Sequence, residues 1–296
     1  MLEFVAQHPT VCIAVIMLSF AFCEWRSGTL RSRYGTREDA PLEGAITLLF
    51  GAVIYPGVIF GISTIGRAWL PQAEGALAHL PWWQMVLLFL LLDDFTQYWW
   101  HRASHTPLLW PLHRAHHSAP YMSVRVVYRN NFFYYALMPG VWLSSALVYL
   151  GLGAVYPFYL VVKLAVICGA HSETRWDAVL YRHRALRPIA WLLEHTISTP
   201  ATHFAHHAMF QDDGVGFYKG NFGNLLFVWD QLFGTAHFSR RYPERVGLAE
   251  DVAYGAERWW VQLWYPLVKS RRRCSTLAGL AGTETSPGRI VAMTPG

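Results

Sequence analysis

Charge is scarce in this chain. Only 15% of its 296 residues are Asp, Glu, Lys or Arg, against about 25% in an ordinary soluble domain. With 53% hydrophobic and 16% aromatic residues, that shortage excludes a typical soluble globule and points to an integral membrane protein. The net charge is +5, yet no continuous basic stripe interleaves with aromatics. Lys and Arg instead sit in short segments flanking apolar runs, where they set membrane topology, so nucleic acid is not an expected partner. Cysteine is sparse too. Cys12, Cys23, Cys168 and Cys274 never approach C-x-x-C spacing, which excludes a zinc ribbon and a disulfide framework. No basic stretch precedes the first apolar run, so that run reads as a membrane helix rather than a signal peptide.

Five apolar runs are present. They cover residues 9–23, 44–64, 81–100, 132–150 and 152–170; the second and third have the length of about 20 residues that a bilayer crossing needs. The last two, broken at Gly151, predict a helical hairpin. Arg26, Arg31, Arg33 and Arg37 follow the first run, Arg102, Arg114, Arg125 and Arg129 the third, and Arg175, Arg182, Arg184 and Arg187 the fifth, whereas the loop after the second has only Arg67. Five crossings with the N-terminus outside place every basic loop on the cytoplasmic side. The expected organisation is N-terminal transmembrane helices over 1–80, a catalytic region over 81–240, an amphipathic basic segment over 241–274 and a disordered tail over 275–296.

Histidine, in contrast, is concentrated. The chain has 14, and "HRASHTPLLWPLHRAHH" (101–117) holds five of them. On a helix, residues three or four apart share a face. His101 and His105 are so spaced, as are His113, His116 and His117, and again His203, His206 and His207. Each cluster is expected to aim its imidazoles at one point. Unpaired and buried they would be costly, and a metal removes the problem because neutral imidazole ligates iron, zinc or copper. Eight rings exceed the needs of one ion, and a structural zinc site of this size would lean on cysteine. Two metals with open positions fit better, which implies chemistry at the metal. All the clusters fall near one membrane face. That weighs against a metal transporter or sensor, and the absence of H-E-x-x-H weighs against a zinc-dependent membrane hydrolase. Asp94 lies on one helical face with Tyr98, His101 and His105. An intramembrane carboxylate is expensive and functional by default; it either holds a ligand's second N–H or forms a salt bridge to Arg102 or Arg114.

The segments "DFTQYWWHRASH" (94–105), "LLWPLHRAHHS" (108–118), "TPATHFAHH" (199–207) and "NFGNLLFVWDQLFGT" (221–235) resemble, in order and spacing, the fatty acid hydroxylase/sterol desaturase superfamily of membrane di-iron enzymes. The resemblance covers about residues 80–240. It implies an all-α fold, a multi-span transmembrane helical bundle with a cytoplasmic helical cap holding a histidine-ligated dimetal site. It implies two iron ions, O2 as co-substrate, and hydroxylation or desaturation of a C–H bond in a lipid such as a sterol or fatty acyl chain. The family's ligands carry over to His101, His105, His113, His116, His117, His203, His206 and His207. His171, in "GAHSET", matches a further family histidine, and His195, in "LLEHTISTP", is a tenth candidate. Asp94 and Asp230 would be outer partners of the ligands, and Arg129 matches an arginine that often follows the second box. The third box departs from the frequent family pattern in reading "HFAHH", and the link "DAVLYRHRAL" (177–186) is longer than usual. No H-P-G-G electron-transfer segment is present, so a separate electron donor of the cytochrome b5 or ferredoxin type is expected. Tyr128 and Phe132 to Tyr135 either line a lateral path for the lipid or form an interfacial aromatic belt.

Overall fold

A computed structural model describes residues 2–32, 34–272 and 274–278. Arg33 and the expected tail beyond residue 278 lie outside the described residues. Among the described residues every regular element is helical, and extended pairing is limited to isolated bridges between Ile197 and Leu226 and between Ala208 and Val246.

Helix α1 (Pro9–Arg26) opens on Pro9, whose missing N–H costs nothing in a first turn. It leaves Val11, Val15, Leu18, Phe22 and Trp25 exposed, an apolar surface that calls for lipid rather than water. Helix α2 (Asp39–Trp69) runs for 31 residues and widens to a π turn at Phe50–Ile54. Pro56 lies just beyond and cannot donate to the carbonyl one turn back, which accounts for the disruption. Helix α3 (82–104) is made of Trp82–Phe89, a second wide turn at Leu90–Asp94, and Phe95–Ser104. A short link leads to α4 (Trp110–His117). After Phe132–Ala136 the chain breaks at Met138, ahead of a proline, and resumes as α5 (Pro139–Tyr149). Helix α6 (Tyr156–His171) follows.

Three helical stretches are long and apolar enough to cross a membrane: Pro9–Arg26, Asp39–Trp69 and Phe132–Tyr149. The other two expected crossings differ. Helix α3 buries Asp93 and Asp94 at its middle. Helix α6 has 16 residues, which at 1.5 Å each reach ~24 Å, short of a hydrocarbon core of about 30 Å. The expected hairpin is also different. The chain does reverse at Gly151, whose φ is 112°, but α5 packs chiefly on the second half of α2 and α6 chiefly on α1. Large aromatic side chains at the turn, Tyr156 and Tyr159 against Phe89, fill the space the partner arm would take.

Buried polar pins fix the bundle to the segments beyond it. Lys163 of α6 donates to Asp93 of α3 at 2.7 Å, both side chains being 8% exposed. Gly140 of α5 makes room for that carboxylate, since a Cβ there would stand 2.5 Å from Asp93 Oδ1. At the end of α1, Glu24 accepts from Ser123 Oγ (2.6 Å), Val124 N (3.0 Å) and Ser172 Oγ (2.9 Å). Beyond the short helices Leu2–Gln7 and Ala178–Arg182, the chain forms α7 (Arg187–Thr196), α8 (Pro200–His206), α9 (Val228–Leu232), α10 (Ala249–Tyr254) and α11 (Trp259–Trp264). The last two close over the second histidine box: fully buried Arg114 bonds Glu250 and, at 2.7 Å, Asp251, and Ser118 Oγ donates to Gln262 Oε1 at 2.8 Å.

Candidate metal centre

Four short pieces of chain deliver nine imidazoles to one place. His101 lies in the last turn of α3 and His105 caps it. His113, His116 and His117 lie on α4, with Pro111 in its first turn. His171 ends α6. His203 and His206 lie on α8 with His207 as its cap, and α8 starts from a capping box in which Thr199 N donates to Thr202 Oγ1 at 3.0 Å. Asp177 Oδ2 adds a second anchor, accepting from Ala201 N at 2.8 Å.

The rings fall into two groups. His101, His105, His113, His117 and His206 form one, and His116, His171, His203 and His207 the other; within each, one nitrogen per ring lies within 4.8 Å of all the rest. The expectation that each sequence cluster converges on a single point therefore fails. His113 and His117, four apart, share one group, while His116 turns to the other. On α8 the pair His203 and His207 stays together and His206 crosses over. A residue three positions on from the first member of such a pair sits about 60° around the helix, enough to face the neighbouring group.

Five of the rings have their Nδ1 protons fixed. His101 Nδ1 donates to Phe222 O (2.7 Å), His206 Nδ1 to Gly220 O (2.7 Å), His116 Nδ1 to Arg129 O (3.1 Å), His171 Nδ1 to Ile167 O (2.8 Å) and His113 Nδ1 to Asn130 Oδ1 (3.3 Å). A carbonyl oxygen only accepts, so the proton belongs to Nδ1 and a neutral ring presents a bare lone pair at Nε2. Those lone pairs face each other. His101 Nε2 and His206 Nε2 are 3.0 Å apart, and His116 Nε2 and His171 Nε2 are 3.3 Å apart. Between neutral rings neither contact is a hydrogen bond. Protonation is opposed: burial first and the charges of neighbouring rings second, against the upward pull of the backbone carbonyls, hold His101 at about 4 and keep His116 and His206 well below the usual 6.5. His105 Nε2 is moreover buried with no partner. Inward lone pairs, carbonyls that fix the opposite nitrogen and an orphaned nitrogen fit a cation in each group.

The segment 220–235 is the frame for two of these rings. Asp230 accepts from Phe222 N (2.8 Å), Gly223 N (2.6 Å) and Thr235 Oγ1 (2.6 Å), which turns the carbonyls of Gly220 and Phe222 toward His206 and His101. Burial pushes Asp230 up to about 6, against the pull of those donors. Asn221, at φ 56°, donates to Thr202 O (2.8 Å) and His237 O (3.0 Å), tying the frame to α8. Gly223 has to be glycine, since a Cβ would meet Leu226 O at 2.6 Å. Aromatic rings enclose the groups: Phe222 edges onto His101 and His206, Tyr134 stacks on His113, and Trp110 covers His105 and His117.

Other expected residues lie differently. His195 is in neither group; its ring stacks between Trp191 and Phe238, and Nδ1 donates to Trp191 O at 2.8 Å. Asp94 touches no ligand histidine and pairs with neither Arg102 nor Arg114. It accepts from Trp229 Nε1 (2.8 Å) and from Leu225 N and Leu226 N (3.3 and 3.2 Å), because α3 reaches the histidine groups only at His101, about two helical turns later. Arg102 donates to Tyr98 Oη at 3.0 Å. Arg129 is buried and donates to Asp39 Oδ1 (2.7 Å) and Ala115 O (2.8 Å), so it holds α4 from outside. Asn130 and Gly220 gave no signal in the sequence, and Asn221 and Phe222, inside the matching segment 221–235, gave none of their part in orienting the rings.

A helical chain with membrane-length apolar helices and two buried histidine groups at the helix ends defines a histidine-rich membrane metalloprotein. The fatty acid hydroxylase family model matches residues 86–235, half of the chain, and the chain belongs to that family. It is 28% identical over 193 residues to the alkylglycerol monooxygenase of Xenopus tropicalis, covering 60% of this chain and 35% of that protein. It is 30% identical over 190 residues to the ornithine lipid hydroxylase OlsE of Rhizobium tropici, covering 64% and 52%, and 30% identical over 173 residues to the alkylglycerol monooxygenase of Homo sapiens, covering 54% and 32%. The chain thus spans about a third to a half of the length of the curated relatives it matches. No solved structure matches it.

Proposed function

We propose that the protein is a multi-pass membrane oxygenase that hydroxylates an unactivated C–H bond of a lipid. It uses O2, two iron ions held by the nine histidines, and electrons from a separate protein. The active site faces the cytoplasm, and residues 81–240 form the catalytic region. The observation that carries this reading is the pair of opposed Nε2 lone pairs, His101 with His206 and His116 with His171. Each pair offers two inward nitrogen donors that could ligate a cation, and the two lie in separate groups that share helices α4 and α8. The names of the relatives, a monooxygenase of alkylglycerol and a hydroxylase of ornithine lipid, support lipid oxidation as the reaction class.

When bound, the metal pair supplies the redox chemistry that O2 activation and C–H cleavage require. The chain's own part is to hold, orient and keep dry. The carbonyls of Phe222, Gly220, Arg129 and Ile167 keep the protons on Nδ1, leaving each Nε2 directed inward. Asp230 keeps the first two carbonyls in place. Phe222, Tyr134 and Trp110 exclude water around the rings. Buried histidine in this setting acts as ligand and not as a general base, because its protonated form is disfavoured.

A metal transporter would spread its ligands along a conduit through the spans, and these gather at the ends of α3, α4, α6 and α8. Purified protein is expected to hold about two irons per chain, and lipid extracts incubated with it, reductant and O2 to show a mass gain of one oxygen. Full metal content with no oxygen-dependent lipid product in any extract defeats the oxygenase reading.

A further inference from the structure

A cavity of about 610 Å³ is walled by segments that also carry histidines of the centre, although no histidine lines it; its volume is within the range of small-ligand pockets, and the chemistry above makes no use of it. Its wall is built from residues that adjoin ligands: Ser118 follows His117, Phe204 follows His203, and Arg175 lies four residues beyond His171. The loop after α1 and the segment before α11 complete it, so it opens at the ends of the membrane-length helices, the depth of lipid headgroups.

Arg175 is held there against its local preference. Its φ is 46°, a left-handed conformation that a residue with a β-carbon adopts only under constraint. Its guanidinium carbon stands 4.7 Å from the ring centre of Tyr242 and 5.5 Å from that of Phe204, and it donates to Glu173 at 2.5 Å. The side chain is nevertheless 41% exposed. Arg31 and Arg245 also line the cavity, both exposed, and neither forms an ion pair among the described residues. Of the acidic residues in the wall, Glu173 is committed to Arg175, and Asp251 to Arg114 and Arg272 at 2.7 and 3.0 Å. Only Glu244, exposed at the rim, opposes the two uncommitted arginines.

We infer that this cavity binds the anionic headgroup of a lipid, with Arg175 as the fixed contact and Arg31 and Arg245 closing on it from the rim. The planar guanidinium suits a phosphate or carboxylate, and a headgroup anchored here touches Phe204, the residue after His203. That the bound lipid is also the substrate rests on the proposed oxygenase function; the binding itself does not.

The test uses the purified full-length protein in neutral detergent, without turnover. Dihexanoyl phosphatidate, dihexanoylglycerol and inorganic phosphate are titrated separately, and protection of residues 28–36 and 243–256 is followed by hydrogen exchange. Phosphatidate should bind at least tenfold more tightly than dihexanoylglycerol, and R175Q should remove most of that difference. R245Q, at an exposed position, should weaken phosphatidate about threefold and serves if R175Q does not fold. Equal binding of dihexanoylglycerol, or unchanged affinity in both variants, overturns the inference. Phosphate protecting as well as phosphatidate makes the site one for a free anion and overturns it as a lipid site. Phosphatidate binding as described with no lipid oxidised under any donor would instead sink the oxygenase reading and leave the site standing.

Discussion

At His116 and His206 the proton on Nδ1 is fixed by a backbone carbonyl, at 3.1 and 2.7 Å, so alanine at either position removes an inward lone pair that nothing nearby replaces. Iron measured by plasma mass spectrometry should fall from about two to one or fewer per chain in H116A and H206A, with product formation reduced ~100-fold or more, since even outer partners of a metal ligand cost 10–100-fold. D230N tests the frame one step further out. Asparagine keeps the shape but offers one acceptor where Phe222 N, Gly223 N and Thr235 now use two oxygens. Metal affinity should drop about 10-fold or more, with a competing chelator as the readout; unchanged affinity would remove Asp230 from the account. The nine histidines that gather were legible in the sequence because histidine at i, i+3, i+4 is rare and chemically specific. The carbonyls that orient them were not. A backbone oxygen at residue 220 or 222 carries no residue signature, and only the glycines and Asn221 around it hint that the chain turns sharply there.

At the level of the elements, the α3–α6 contact is set by an ion pair in an apolar surrounding. K163M leaves Asp93 buried and uncompensated, which costs about 3–5 kcal/mol in comparable sites, and G140A pushes a methyl against the same carboxylate. Both variants should lower the unfolding midpoint in detergent, and K163R should recover much of the loss. If K163M melts with the parent protein, the pair contributes nothing. The apolar runs announced helices at 9–26, 39–69, 82–104, 132–149 and 156–171, with ends off by up to five residues. Their packing was hidden, because an all-round apolar helix such as α6 gives no stripe to show which neighbour it will choose. The same reason explains the divided histidine boxes: which ring of H-x-x-H-H crosses to the second group depends on how α4 and α8 are rotated against each other. Asp94, expected from the sequence as a partner of the rings, is about two turns too early to reach them and instead ties α3 to Trp229.

For the molecule as a whole, the nine gathered imidazoles, eight of them buried and His105 half-buried, set an acid limit. An unfolded histidine titrates near 6.5, whereas His101 is held at about 4. Below about pH 6.5 the unfolded chain takes up protons that the metal-free fold excludes, so its stability falls as pH drops toward 4, by up to ~1.4 kcal/mol per pH unit for each such ring. Above pH 7 these rings contribute no slope. Iron competes with those protons, so the loaded protein should hold its unfolding midpoint to lower pH than the chelator-treated protein. Identical acid profiles for the two forms would contradict metal binding at these rings.

Helices α4 and α8 each serve both groups, and that interleaving bears on how the centre fills. An ion held by His113, His117 and His206 would keep α4 and α8 in the register that His116, His203 and His207 need, so a second ion would enter a site whose ordering cost is already met. Uptake should be sigmoidal, with the singly loaded form a minor species throughout a titration.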